Sequence, residues 1–86
     1  MKSILDTFTR EKEVVDAIER IDAQTTHFRA RIEDLKAIDD PALKARSVSI
    51  SVYEKMIEEN EEVRAKLVAD YDSIENEITT YFAQFV

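Results

Sequence analysis

The chain has no cysteine and no glycine, and each absence closes off a class of chemistry. Without cysteine there are no disulfides and no thiolate metal sites, a composition that fits a reducing compartment. Without glycine, phosphate-cradling loops, dinucleotide-binding turns and nucleophile elbows cannot be built in their usual forms. Tryptophan is also missing, and proline occurs once, at Pro41. No apolar run approaches the roughly 20 residues that a membrane-spanning helix needs. The opening stretch Met1–Asp6 meets a charge too early for a secretory signal. These exclusions predict a soluble, cytoplasmic protein with no direct membrane association.

Catalytic side chains are equally scarce. His27 is the only histidine. A di-iron bundle site needs a glutamate three residues before its histidine, and that position is Gln24. No second histidine stands four residues away to make a zinc helix. Ser47, Ser49 and Ser51 have no base within a credible site. The chain is therefore expected to be no enzyme and to hold no cofactor and no metal.

What is present is charge and helical periodicity. The 86 residues carry a net charge of −7, which argues against direct nucleic-acid binding. Most of that charge lies in one segment. Residues 57–77 hold eight carboxylates against Arg64 and Lys66, and Glu58, Glu59, Glu61 and Glu62 form a concentrated acidic face. A solvated helix face is the plain reading of such a run; a docking surface for a basic partner is the functional one.

A repeat of seven runs through both halves of the chain. In the first half Ile4, Glu11, Ile18, Thr25 and Ile32 occupy position a, with Thr7, Val14, Ile21, Phe28 and Leu35 at d. In the second half Ile50, Ile57, Arg64, Tyr71, Ile78 and Phe85 fall at a, with Tyr53, Asn60, Leu67, Ile74 and Tyr81 at d. Ser3 followed by Asp6 marks a helix start. Asp6 with Arg10, Asp16 with Arg20, and Arg29 with Glu33 are spaced as intrahelical ion pairs. Asp39-Asp40-Pro41 ends one helix and begins the next, because Pro41 cannot continue a helix but suits a first turn capped by Asp40.

The fold expected is all-α: one domain over residues 1–86, an antiparallel two-helix coiled-coil hairpin. Its helices run over about 3–38 and 41–85, joined by a turn at 39–40. Ser47-Val48-Ser49-Ile50-Ser51-Val52 alternates like a strand and has poor helix propensity. Continuous helix or a kink at 47–52 is the reading adopted there, with a short separate helix over 41–46 as the alternative. Two long helices share only one seam, so oligomerisation or a partner would complete the core as a bundle.

A turn centred near residue 39 sets the register. Leu35 then faces Leu43, Phe28 faces Ile50, Thr25 faces Tyr53, Ile18 faces Asn60 and Val14 faces Arg64. Glu11, Asn60 and Arg64 form a polar middle of the seam, with Glu11 and Arg64 close enough to pair and Asn60 fixing alignment. Beyond residue 77 this register leaves no partner within the chain for Ile78, Tyr81, Phe82, Phe85 and Val86. That tail is the expected interaction site, with fraying or packing against Leu5 and Phe8 as the plainer alternative.

Two partial likenesses end without an assignment. The Glu58-Glu59 and Glu61-Glu62 pairs resemble the acidic motifs of metal-dependent nucleotide pyrophosphatases, but those need a matching cluster on the facing helix. Tyr71 with Glu75 resembles the closing element of secreted hairpins of the tryptophan-x-glycine type, whose defining turn residues this chain lacks.

The function expected is a non-enzymatic structural or adaptor hairpin acting through protein contacts, as a homo-oligomer or within a larger assembly. The alternative is a small acidic inhibitor or nucleic-acid mimic that occupies a basic site. A secretion-type chaperone hairpin would use the same tail.

Overall fold

The computed structural model describes residues 3–38, 40 and 45–85, and they form an all-α helical hairpin. Helix α1 spans Ile4–Lys36 and α2 spans Ala45–Ala83. Ser3 caps α1 from an extended conformation, its side-chain oxygen accepting the Leu5 N–H at 3.2 Å. Asp6 adds negative charge to the first turn and Lys36 positive charge to the last, both favourable against the helix dipole. At the far end the Ala37 N–H donates to the Glu33 carbonyl at 3.1 Å and Ile38 to Leu35 at 3.3 Å.

α2 is one uninterrupted helix through residues 47–52. The strand-like alternation there places Ile50 and Tyr53, both half-buried, toward α1 and leaves Val48 and Val52 exposed. Tertiary packing on the inner face thus overrides the weak helix propensity of the serines and valines. The expected restart at Pro41 and the contact of Leu35 with Leu43 lie outside the described residues. So does most of the alternative short helix over 41–46.

The helices run antiparallel, but one heptad out of the expected register. Asn60 bonds to Thr25 and Arg64 to Asp22, so facing positions add to 85 or 86 rather than to about 78. Arg10 with Glu77, at 3.2 Å, agrees. The slip keeps every a position opposite a d position, because the repeat is itself seven residues long. Arg10 and Arg29, expected to pair within α1, instead cross the seam to Glu77 and Glu61. Asp16 pairs within α1, but with Lys12.

The molecule is long and thin, 67 × 19 × 15 Å, with a radius of gyration of 19.5 Å. A compact chain of this length would measure about 12 Å. Among the described residues only Phe28, Ile32 and Ile74 are buried apolar side chains, accompanied by Thr7 and Thr25. Among the described residues, one seam between two helices supplies the core.

Candidate protein-contact surface

The shifted register changes what the tail does. Ile78 and Tyr81 are half-buried, and the Phe82 ring lies 6.4 Å from that of Phe8, centroid to centroid. Phe82 therefore has a partner on α1, contrary to the expectation drawn from the shorter register, whereas the Phe85 ring packs on Tyr81. The reason is geometric: moving the pairing by seven residues brings the start of α1 alongside the end of α2. Val86 lies outside the described residues.

Burial stops short of completion, however. Leu5 and Phe85 each remain 71% exposed, and Phe8 and Phe82 are also exposed. Phe85 stacks edge-on against Tyr81, four residues earlier, at 5.3 Å, and Tyr81 meets Phe82 at 5.2 Å. Leu5, Phe8, Tyr81, Phe82 and Phe85 thus group at the open end of the hairpin, two of them from α1, two from α2 and Phe85 from the turn that follows α2. With about 200 Å² per aromatic side chain, this leaves on the order of 400 Å² of apolar surface in water.

The polar seam is also assembled differently. Asn60 donates to Gln24 Oε1 at 3.0 Å and to Thr25 Oγ1 at 3.3 Å. Thr25 is buried, so its hydroxyl depends on such a partner. Arg64 does not meet Glu11. Its Nε donates to Asp22 Oδ1 at 2.7 Å and its Nη2 to Asp22 Oδ2 at 3.3 Å. Both side chains are about half exposed, which limits this fork to less than about 1 kcal/mol.

Glu11 faces another acid. Its carboxyl is held above the ordinary carboxylate range, first by a hydrogen bond with Glu75, then by desolvation and by repulsion from the Glu75 charge. The charge of Glu75 is likewise the largest cause raising the Tyr71 hydroxyl, followed by desolvation and their hydrogen bond. A hydrogen bond between two carboxyl groups requires one proton. The folded state therefore binds that proton more tightly than the unfolded chain does. Its stabilising effect is complete at low pH and is lost as pH rises through the raised value. Glu11→Ala accordingly removes a repulsion and strands no arginine. Glu11→Gln should raise the melting temperature at neutral pH, with the gain vanishing as pH falls to about 4. Melts followed by circular dichroism across that range check this; a lower melting temperature at neutral pH would contradict it.

In the acidic segment, Glu61 is engaged by Arg29 at 3.2 Å, while Glu58, Glu59 and Glu62 are exposed on the surface of α2. His27 is exposed beside the Phe28 ring. Among the described residues no group of three histidine, cysteine or acidic side chains is arranged to hold a metal ion. None of their helices is long and apolar enough to cross a membrane. No family model, curated protein or solved structure matches the chain.

Packing of the tail against Leu5 and Phe8 is the plainer of the two expectations for it, and the Phe8–Phe82 contact agrees with that one. One feature of this surface escaped the sequence reading. The pairing of Asn60 with Thr25 had a signal that went unused: both are polar residues at seam positions, and polar seam residues favour each other.

Proposed function

We propose that this chain is a non-enzymatic structural or adaptor hairpin of coiled-coil type that works in the cytoplasm through protein–protein contacts. It does so as a homo-oligomer or as a component of a larger assembly. The observation that carries this reading is the open-end cluster of Leu5, Phe8, Tyr81, Phe82 and Phe85, apolar and incompletely covered by its own chain. Aromatic side chains of this kind supply much of the binding energy at compact interfaces. The helix pair holds them at the tip of a stiff rod, where a partner can reach them without disturbing the seam.

A second reading, an acidic inhibitor or nucleic-acid mimic, is favoured by Glu58, Glu59 and Glu62, which stand exposed on successive turns of a chain of net charge −7. Salt separates the two. Proteins retained from a host extract by immobilised wild-type chain should stay bound at high ionic strength if the contact is apolar. They should be released if it is electrostatic. Phe82→Ala combined with Phe85→Ala should weaken the apolar contact on the order of a hundredfold while leaving helix content nearly intact. Loss of helicity with binding unchanged would assign the aromatics to the chain's own core and overturn the proposal.

A further inference from the structure

A second apolar surface lies on α2 apart from the open end, and at Val63 it reaches the edge of the seam, beside Ala17 and Ile21 of α1. Val48, Val52, Met56 and Val63 are exposed along α2, Val48 to 66%. Their spacings put them in one row with Glu59, and Lys55 and Glu62 run beside that row. Around Val48–Ile57, α2 is therefore apolar on two sides, with Ile50, Tyr53 and Ile57 turned to α1. A helix apolar on two sides belongs inside a bundle. This stretch also includes the low-propensity run at 47–52, which gains most from packing on its outer side.

Surface area points the same way. The hairpin exposes 6598 Å², whereas a folded monomer of its mass would expose about 5,200 Å². A standard interface covers about 800 Å² per partner, over half of that excess.

The charge pattern of the row selects the occupant. Lys55 lies on the turn side of its centre and Glu59 and Glu62 on the other side. We propose that a second copy of this chain packs on the row, α2 against α2 in antiparallel orientation, to give a four-helix dimer. With the two-fold axis near residue 58, Val52 of one copy meets Val63 of the other. Lys55 of one copy then meets Glu59 and Glu62 of the other. A parallel copy would set Glu59, which lies in the row, directly on Glu59 of the other copy, which like charges oppose, and would carry Lys55 to the side away from Glu62. The dimer rests on the reading that the hairpin acts through protein contacts, but it uses a face separate from the open-end aromatics.

Light scattering tests it directly. Wild-type chain should show about twice its 10.0 kDa mass at micromolar concentration. Phe82→Ala with Phe85→Ala should leave that mass unchanged, so failure of the dimer and failure of the open-end reading are seen separately. Lys55→Glu, at an exposed position, should raise the dimer dissociation constant at least about tenfold. Mixing that variant with a Glu59→Lys/Glu62→Lys chain should restore pairing. Because the chain lacks cysteine, Val52→Cys mixed with Val63→Cys should give a mixed disulfide under mild oxidation, and neither variant alone should dimerise covalently. A mass of 10.0 kDa at every concentration, indifference to Lys55→Glu, or crosslinking of each cysteine variant with itself would overturn the proposal.

Discussion

Ile74→Ala should lower the melting temperature by on the order of 15 °C or more, the largest effect expected of any single substitution here. Ile74 is 1% exposed, the most completely buried side chain of the described residues. Truncating a buried isoleucine costs about 2–5 kcal/mol, from lost burial and from the cavity left behind. A small domain has only about 5 kcal/mol or little more in total, and here few other fully buried side chains share the load. The cost therefore falls on the entire hairpin. Thermal melts by circular dichroism read it out. A shift of a few degrees would mean that the seam closes around the cavity, or that packing at the open end contributes little to stability.

The second large effect concerns alignment more than stability. In the observed register Asn60 bonds to Thr25 and Gln24. One heptad away it would face Ile18, where its amide would lose those partners in a largely apolar layer. An unpaired buried amide costs about 1–3 kcal/mol, enough to choose between two registers that are otherwise alike. Asn60→Leu combined with Thr25→Val removes that choice. The double variant should melt at or above the wild-type temperature, since both polar partners are removed together. Its backbone amide spectrum should show two sets of resonances from coexisting registers. A single set that retains the wild-type contact between Phe8 and Phe82 would show that other residues fix the alignment.

The same comparison explains how far the sequence could be read. The helices were legible because strong signals agree: the cap at Ser3, the break at Pro41, and apolar residues every three and four positions. The antiparallel pairing followed from the break. The register did not follow, since a seven-residue repeat matches itself after a slip of seven and the Asp39-Asp40-Pro41 signal tied the centre to residue 39. Two clues favoured the longer offset. It sets Thr25 against Asn60 where the shorter one sets Ile18 against Asn60, and it brings Ile78, Tyr81 and Phe82 alongside the start of α1. Matching polar with polar across the seam would have found it. The exchange of Glu11–Arg64 for Glu11–Glu75 and Asp22–Arg64 is a direct consequence. Arg10 and Arg29 were misassigned for a different reason. Intrahelical spacing was the only neighbour information available, and cross-seam carboxylates compete for the same guanidinium groups.

The candidate site was legible in composition and not in geometry. Tyr81, Phe82 and Phe85 stand out as apolar residues at the end of an acidic chain. Their companions Leu5 and Phe8 lie more than seventy residues away in sequence, and the register decides between packing on them and an uncovered tail. The open-end cluster thus exists as a single surface in one alignment of the helices and is divided in the other.

Nuclear Overhauser contacts in the unmodified protein therefore test the account most directly. The predicted result is a cross-peak between the rings of Phe8 and Phe82, together with one between the Asn60 side-chain amide and the Thr25 methyl group. The contradicting result is contact of Thr25 with the Tyr53 ring and of the Asn60 amide with Ile18, with no contact from residues 81–85 to α1. That pattern would return the hairpin to the shorter register and dismantle the open-end surface.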